Sequence, residues 1–240
     1  MCVLENIVMN LSEVLTGKVI SGYEAEPIVD RAGNVLAVKI RKDSATPGWF
    51  FRQAGKSGNA QKKKVLKEQL SLIDLKTAYF QNNNILCSIN IDFDMAAILI
   101  QEEEFAELAK SKPFLRLEIS EGFPNLSDGR SNRVLQALAE EYRLWLGDLG
   151  SGESSLRALQ ENLYDAVKID NDFFKIYSKS GIWPVIIKNI MRYCKFIIIE
   201  GVDSKEQYHA IEKDIRAVQG GCFKSVRLEN IESLNKKFIL

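Results

Sequence analysis

Polar side chains close five of the short apolar runs in this chain. The residues at these ends are Asn90, Glu118, Asp148, the pair Lys168 and Asp170, and Glu200. Carboxylate and amide oxygens suit Mg²⁺ or Mn²⁺, and without a cation such closely spaced carboxylates would raise one another's pKa. A metal beside the single lysine would suit phosphodiester hydrolysis, in which the metal activates water. These residue types therefore permit metal-dependent phosphoryl chemistry without specifying it.

The chain offers few other catalytic groups. Its one histidine, His209, falls in a helical stretch, which excludes histidine-based triads and histidine-rich metal sites. The four cysteines, at positions 2, 87, 194 and 222, lack the close pairing of a zinc site or a disulfide framework. Any chemistry must therefore use carboxylates, amides, lysine or a metal held by oxygen.

An alternation of strands and helices must position these residues. Apolar runs at 85–91, 114–120, 144–149, 165–170 and 195–200 predict strands. Helical patterns fall at 102–110, 131–142, 154–162, 183–194 and 204–218. This alternation indicates a parallel sheet covered by helices, and the carboxyl ends of parallel strands form a ligand-binding mouth. The polar strand ends should therefore converge.

The N-terminal part of the chain has a different pattern. Segments 22–29 and 35–41 flank a turn that contains Gly33 and Asn34, which predicts a β-hairpin. Apolar residues at helical spacing predict one long helix over 61–81, with its lysines on the solvated face. These elements precede the repeating unit.

The composition is that of a globular protein. The 240 residues are 46% hydrophobic and 27% charged, and 32 basic residues balance 32 acidic ones. A net charge of zero disfavours binding to nucleic acid or to a membrane surface, and no apolar run is long enough to span a bilayer. With no signal-peptide pattern at its start, the chain is expected to be cytoplasmic and to form a single domain over 1–240.

Seven motifs, taken in order, resemble those of the EAL-domain family. They are Gly22 to Glu26 for the Glu-Ala-Leu signature, Ile89-Asn90, Glu118 to Glu121, Gly147 to Leu156 for the Asp-Asp-Phe-Gly loop, Lys168 to Asp170, Glu200 to Asp203, and Gln219-Gly220. Active members of this family hydrolyse the bacterial second messenger cyclic di-GMP to a linear dinucleotide with Mg²⁺ or Mn²⁺. The resemblance covers nearly the whole chain.

The resemblance implies a fold and a set of site residues. The fold would be an α/β one, a modified TIM (β/α)8-like barrel whose first strand is antiparallel. Lys168 would help to orient water, Glu121 would hold the catalytic loop, and Gln219 and Asp170 would bind substrate. The implied metal ligands are Glu24, Asn90, Glu118, Asp148 and Glu200.

The chain departs from the family motifs at four positions. Gly147 replaces the first aspartate of the Asp-Asp pair, a metal ligand in active relatives. Glu26 and Ile28 replace a leucine near a base and an arginine that meets a phosphate, and Glu153 replaces a tyrosine. Cyclic di-GMP carries two negative charges, so added carboxylates and a missing guanidinium oppose its binding. We therefore expect a barrel whose catalytic residues are vestigial or weak.

Short EAL-like proteins with eroded motifs resemble the enterobacterial anti-flagellar regulators. That resemblance implies a regulator of flagellar gene expression and motility, which binds the flagellar master activator FlhD/FlhC and inhibits its DNA binding without a cofactor. Two alternatives stay open: a cyclic di-GMP phosphodiesterase that uses Mg²⁺ or Mn²⁺, and a receptor that binds cyclic di-GMP without cleaving it.

Overall fold

A computed structural model describes residues 22–43, 58–120, 122–151, 159, 161–211 and 213–239. Nine strands run through them: β1 (Tyr23–Asp30), β2 (Val35–Lys42), β3 (Leu86–Ile91), β4 (Leu115–Ser120), β5 (Leu144–Leu149), β6 (Tyr164–Ile169), β7 (Ile197–Ile199), β8 (Ala217–Gln219) and β9 (Val226–Arg227).

The strands form a closed barrel. Strands β2 to β8 pair in sequence order as parallel neighbours, and β1 closes the ring by pairing antiparallel with both β2 and β8. The short β9 adds to β1 outside the ring. The EAL type of barrel with an antiparallel first strand, implied by the resemblance, is confirmed.

Eight α-helices lie in the described part of the chain. They are α1 (Asn59–Asp74), α2 (Thr77–Asn83), α3 (Phe93–Gln101), α4 (Glu103–Lys110), α5 (Arg133–Glu141), α6 (Asn171–Tyr177), α7 (Trp183–Met191) and α8 (Lys205–Ala210). Their apolar faces and the outer face of the barrel form a continuous buried core. None of these helices is long and apolar enough to cross a membrane.

The β1–β2 hairpin depends on its turn. The Asp30 carboxylate accepts hydrogen bonds from the backbone N–H groups of Ala32 and Asn34, both at 2.8 Å. Gly33 has a φ of +83°, and a Cβ there would lie 2.0 Å from the carbonyl oxygen of Phe238. Glycine is therefore required both by the backbone angle and by the close approach of the C-terminal segment.

Two predicted helices differ from the structure. The helix predicted over 61–81 is divided between α1 and α2, because Lys76 leaves the helical conformation and its ammonium donates to the carbonyl oxygen of Glu229 at 2.7 Å. The prediction of a helix over 204–218 is wrong beyond Ala210, since Ala217 to Gln219 form β8. The helix predicted over 154–162 lies mostly outside the described residues.

Candidate functional site

Alternation along the strands places a polar layer above an apolar one inside the barrel. The apolar layer consists of Ile28, Ala37, Trp145, Ala166, Ile198 and Ala217. Side chains two residues apart on a strand share a face, so the next inward positions lie toward the mouth. On β1, which runs in the opposite direction, that position is Glu26. The corresponding residues are Lys39 on β2, Gly147 on β5, Lys168 on β6, Gln219 on β8, and Glu200 directly after β7.

Two carboxylates and two lysines interlock in this polar layer. The carboxylate of Glu118 on β4 accepts hydrogen bonds from Nζ of Lys39 at 2.7 Å and from Nζ of Lys168 at 3.1 and 3.2 Å. Glu200 lies 2.6 Å from Lys168 Nζ and 3.6 Å from Lys39 Nζ. Each lysine therefore contacts both carboxylates. The hydroxyl of Ser88 also donates to Glu118, at 3.3 Å.

The four charges are largely shielded from solvent and balance one another. The side chains of Lys168, Glu118, Lys39 and Glu200 are 0%, 2%, 13% and 15% exposed. Burial alone would raise the pKa of Glu200, but the charges of Lys168 and Lys39 outweigh it and lower that pKa to about 2. Burial likewise opposes ionisation of Glu118 and Lys39, yet their partners lower the pKa of Glu118 and raise that of Lys39.

Asp148 interacts with the charges of this cluster, but its pKa is raised rather than lowered. Burial and then the negative charge of Glu200 raise its pKa to about 6, although Lys39 favours its ionised form. Its backbone also adopts a φ of +54°, a left-handed conformation that side-chain-bearing residues rarely adopt. The strand end thus holds a carboxylate that costs energy to ionise.

Glu24, an implied metal ligand, forms an ion pair with Arg41 rather than with the lysines of the polar layer. Its carboxylate lies 2.8 Å from Nη2 of Arg41, and the carboxylate of Glu26 lies 3.2 Å from Nε of the same guanidinium. Glu24 and Arg41 are also paired residues of neighbouring strands. Arg41 therefore holds both acidic residues of β1.

The other predicted site residues have varied surroundings. Asn90 is exposed at the end of β3, next to Glu118 in the strand pairing. Gln219 is 4% exposed, and its amide oxygen has no hydrogen-bond partner among the described residues. Asp170 caps α6, accepting hydrogen bonds from the N–H groups of Asp172 and Phe173 at 2.9 and 3.0 Å. Glu121 and Glu153 lie outside the described residues.

The residues present do not fit a divalent metal at this mouth. Mg²⁺ binds carboxylate oxygens at about 2.0 to 2.1 Å. Here the space between Glu118 and Glu200 contains the ammonium groups of Lys39 and Lys168. Gly147 has no side-chain oxygen. Across the described part of the chain, no three His, Cys, Asp or Glu side chains are grouped closely enough to hold a metal.

The sequence analysis missed Lys39, which makes the shortest contact to Glu118. The motif comparison placed the signature glutamate on β1, whereas β2 supplies the side chain between the two carboxylates. A signal for it exists in the sequence. Lys39 interrupts the apolar run of β2 two residues after Ala37, at the spacing of the barrel interior.

The comparisons with known proteins agree with this fold. The EAL domain family model matches residues 51–225 of the chain. Cyclic di-GMP phosphodiesterase PdeH of Escherichia coli is 27% identical over 226 residues, or 89% of this chain and 86% of PdeH. The putative anti-FlhC(2)FlhD(4) factor YdiV of Escherichia coli is 29% identical over 175 residues, or 71% of this chain and 74% of YdiV.

A solved structure extends this likeness to three dimensions. The crystal structure of the EAL-like domain protein YdiV matches with a TM-score of 0.79 at 26% identity, over 89% of this chain and 96% of that one. The family model covers well over half of the chain. The chain belongs to the EAL-domain family.

Proposed function

We propose that this protein is a catalytically impaired EAL-domain protein that regulates flagellar gene expression and motility by binding another protein. Its partner is the flagellar master activator FlhD/FlhC, and the complex prevents that activator from binding DNA. The protein acts in the cytoplasm and needs no metal or other cofactor for this role. The likeness to YdiV, named as an anti-FlhC(2)FlhD(4) factor, supports the choice of partner.

One observation carries the proposal, the neutral cluster of Lys39, Glu118, Lys168 and Glu200. Its carboxylates are already neutralised by two ammonium groups at 2.6 to 3.6 Å. Phosphodiester hydrolysis in this family depends on a divalent metal that activates water, and the cluster leaves that metal no free carboxylate pair. This arrangement supports a protein that does not carry out the reaction of its active relatives.

The charge of the mouth also opposes the family substrate. Glu24, Glu26, Glu118, Glu200 and an ionised Asp148 give five negative charges, against three positive ones. The three are Lys39, Lys168 and Arg41, so the net charge is −2 above the pKa of Asp148. An uncompensated carboxylate about 7 Å from a substrate phosphate weakens binding by roughly 0.6 kcal/mol in water and by roughly 2.4 kcal/mol at an effective dielectric of 20. A dianionic dinucleotide is thus repelled.

A second observation concerns the position to which the motif resemblance assigns the arginine that meets a substrate phosphate in active relatives. Ile28 stands there, is fully buried, and belongs to the apolar layer below the mouth. It can offer no hydrogen bond. A lost charge-assisted hydrogen bond weakens binding by about 1.5 to 3 kcal/mol, which adds to the repulsion.

The alternative is a cyclic di-GMP phosphodiesterase, which the likeness to PdeH over 89% of the chain favours. The two functions differ in what the purified protein does. In a gel filtration experiment at micromolar concentrations, the full chain should elute with purified FlhD/FlhC, and in a mobility-shift assay it should reduce the binding of FlhD/FlhC to promoter DNA. PdeH, carried through both assays, is the matched control.

Separate elution of the two proteins at these concentrations would contradict the proposed partner. A complex that still binds DNA normally would contradict the proposed mechanism while leaving the partner in place. The two parts of the proposal are thus tested independently.

A further inference from the structure

We propose that the ammonium group of Lys39 is a built-in replacement for the divalent cation of the mouth, and that its removal would turn the mouth into a divalent-metal site. Gly147 is the second half of this arrangement, because it gives Glu118 the room to reach Lys39. The inference concerns cation binding alone and does not depend on which protein the chain binds.

Burial of Glu118 and Glu200 makes a second cation necessary. Both carboxylates lie inside the barrel, and Glu118 is only 2% exposed. A buried charge is tolerated when it is paired or bound to a metal. Lys168 neutralises one of the two carboxylates. A further positive charge must come from an ion or from the chain, and Lys39 supplies it from the chain.

The position of Lys39 on β2 suits this role. Its Cα lies two residues beyond Ala37 of the apolar layer, so its side chain enters the barrel just above that layer. Its Nζ lies 2.7 Å from Glu118 and 3.6 Å from Glu200, and thus spans the gap between them. The next inward cation on β2, Arg41, is held by Glu24 and Glu26.

Gly147 explains how Glu118 reaches Lys39. A Cβ built on Gly147 would lie 2.9 Å from Oε1 of Glu118, closer than real Cβ atoms approach, and 3.1 Å from its Cγ, closer than most Cβ contacts. The carboxyl group of Glu118 therefore lies in space that a side chain at position 147 would fill. The same oxygen, Oε1, accepts from Lys39. The open space at Gly147 on β5 and the ammonium of Lys39 on β2 are therefore complementary features.

An ammonium and a divalent metal cannot share these oxygens. A metal in the gap between Glu118 and Glu200, at about 2.0 to 2.1 Å from their oxygens, would lie within contact distance of Lys39 Nζ, and the two positive charges would repel each other. Lys39 is held on one strand and cannot diffuse away. The wild-type mouth should therefore exclude Mg²⁺ and Mn²⁺ at millimolar concentrations.

The test measures Mn²⁺ binding to the full chain by electron paramagnetic resonance of free Mn²⁺. The variant Lys39→Glu removes the ammonium and adds a third carboxylate beside Glu118 and Glu200. The control Lys188→Glu makes the same charge change at an exposed position of α7. We expect Lys39→Glu to bind Mn²⁺ at least about tenfold more tightly than the wild type and the control.

Equal Mn²⁺ affinity in all three proteins would overturn the inference. So would a Lys39→Glu chain that stays unfolded when Mn²⁺ is supplied, because the metal is expected to replace the missing charge.

The unmodified protein provides a second measurement. The buried ammonium of Lys39 should give a hydrogen-bonded ¹H–¹⁵N signal, assigned by its loss in Lys39→Gln, that millimolar Mg²⁺ leaves unchanged. A shift or loss of that signal on addition of Mg²⁺ would show that the metal displaces Lys39, contrary to the proposal.

Discussion

Glu118 lies among two lysines, a serine and a glycine, and its surroundings explain the character of the mouth. Lys39 and Lys168 hold its carboxylate in the ionised form against the cost of burial. Gly147 leaves the space that this carboxylate occupies. Single residues therefore decide whether the polar layer of the barrel contains ammonium groups or a metal ion.

The fit of Glu118 against Gly147 can be tested by adding one carbon. Gly147→Ala places a Cβ 2.9 Å from Oε1 of Glu118, whose position is fixed by two lysines. We expect a loss of about 1 to 3 kcal/mol in the free energy of unfolding, measured with denaturant. Gly181→Ala, where a Cβ would meet no atom within 4 Å, is the control and should change much less. An unchanged stability of Gly147→Ala would mean that Glu118 moves freely.

The raised pKa of Asp148 makes stability depend on pH. Because its pKa is about 6 in the folded protein and 3.8 ordinarily, the folded state binds the proton more tightly. This residue's contribution to stability is therefore complete below about pH 4 and is lost as pH rises through 6. Asp148→Asn, which also suits a φ of +54°, should be more stable than wild type by about 1 to 3 kcal/mol at pH 7 to 8.

Denaturant unfolding from pH 4 to pH 8 checks this prediction. The advantage of Asp148→Asn should grow between pH 4 and pH 6 and then level off. Asp214→Asn, at an exposed position, should show no such growth. A difference that is constant over the whole range would contradict the assigned pKa.

Individual strands and helices position these residues. The N-cap of α6 allows a structural role of Asp170 to be distinguished from a role in binding substrate. Asp170, predicted to bind substrate, accepts two backbone hydrogen bonds at the start of α6. Asp170→Ala should cost about 0.5 to 2 kcal/mol in the free energy of unfolding, whereas Asp170→Asn keeps the cap and should change it little. Equal losses in both variants would indicate that the charge of Asp170, rather than its cap, stabilises the protein.

At the level of elements, the sequence predicts the barrel well. The strand predicted over 144–149 matches β5, and those over 85–91 and 114–120 begin one residue before β3 and β4. The alternation of buried and exposed residues along a strand and the polar residues at strand ends are local features, so they can be predicted from the sequence. The break at Lys76 depends on Glu229 and the short β8 depends on its neighbours β7 and β1. Such long-range contacts leave no local pattern.

The site was only partly predictable for the same reason. Glu118, Lys168 and Glu200 were recognised as strand-end residues, and the closed barrel brings them together. Lys39 was overlooked because a lone lysine in a strand resembles a solvated side chain. Only closure of β2 beside β1 and β3 shows that it faces two carboxylates. The roles of Asn90, Gln219, Glu24 and Glu121 stay predictions.

At the scale of the whole molecule, the chain has the barrel of its family, while its mouth contains two ammonium groups between Glu118 and Glu200. The barrel matches that of YdiV with a TM-score of 0.79, and the chain also resembles the phosphodiesterase PdeH over 89% of its length. Kinship alone therefore does not choose between a regulator and an enzyme. The described mouth, with its internal ammonium groups and net negative charge, favours the regulator.

The most direct test is hydrolysis of cyclic di-GMP by the purified full chain in Mg²⁺ or Mn²⁺, with PdeH as the active control. Chromatography of the products should show the linear dinucleotide with PdeH and intact cyclic di-GMP with this protein, because Lys39 and Lys168 occupy the carboxylates that a metal would need. Metal-dependent turnover by the unmodified chain at a rate comparable to that of PdeH would contradict the account.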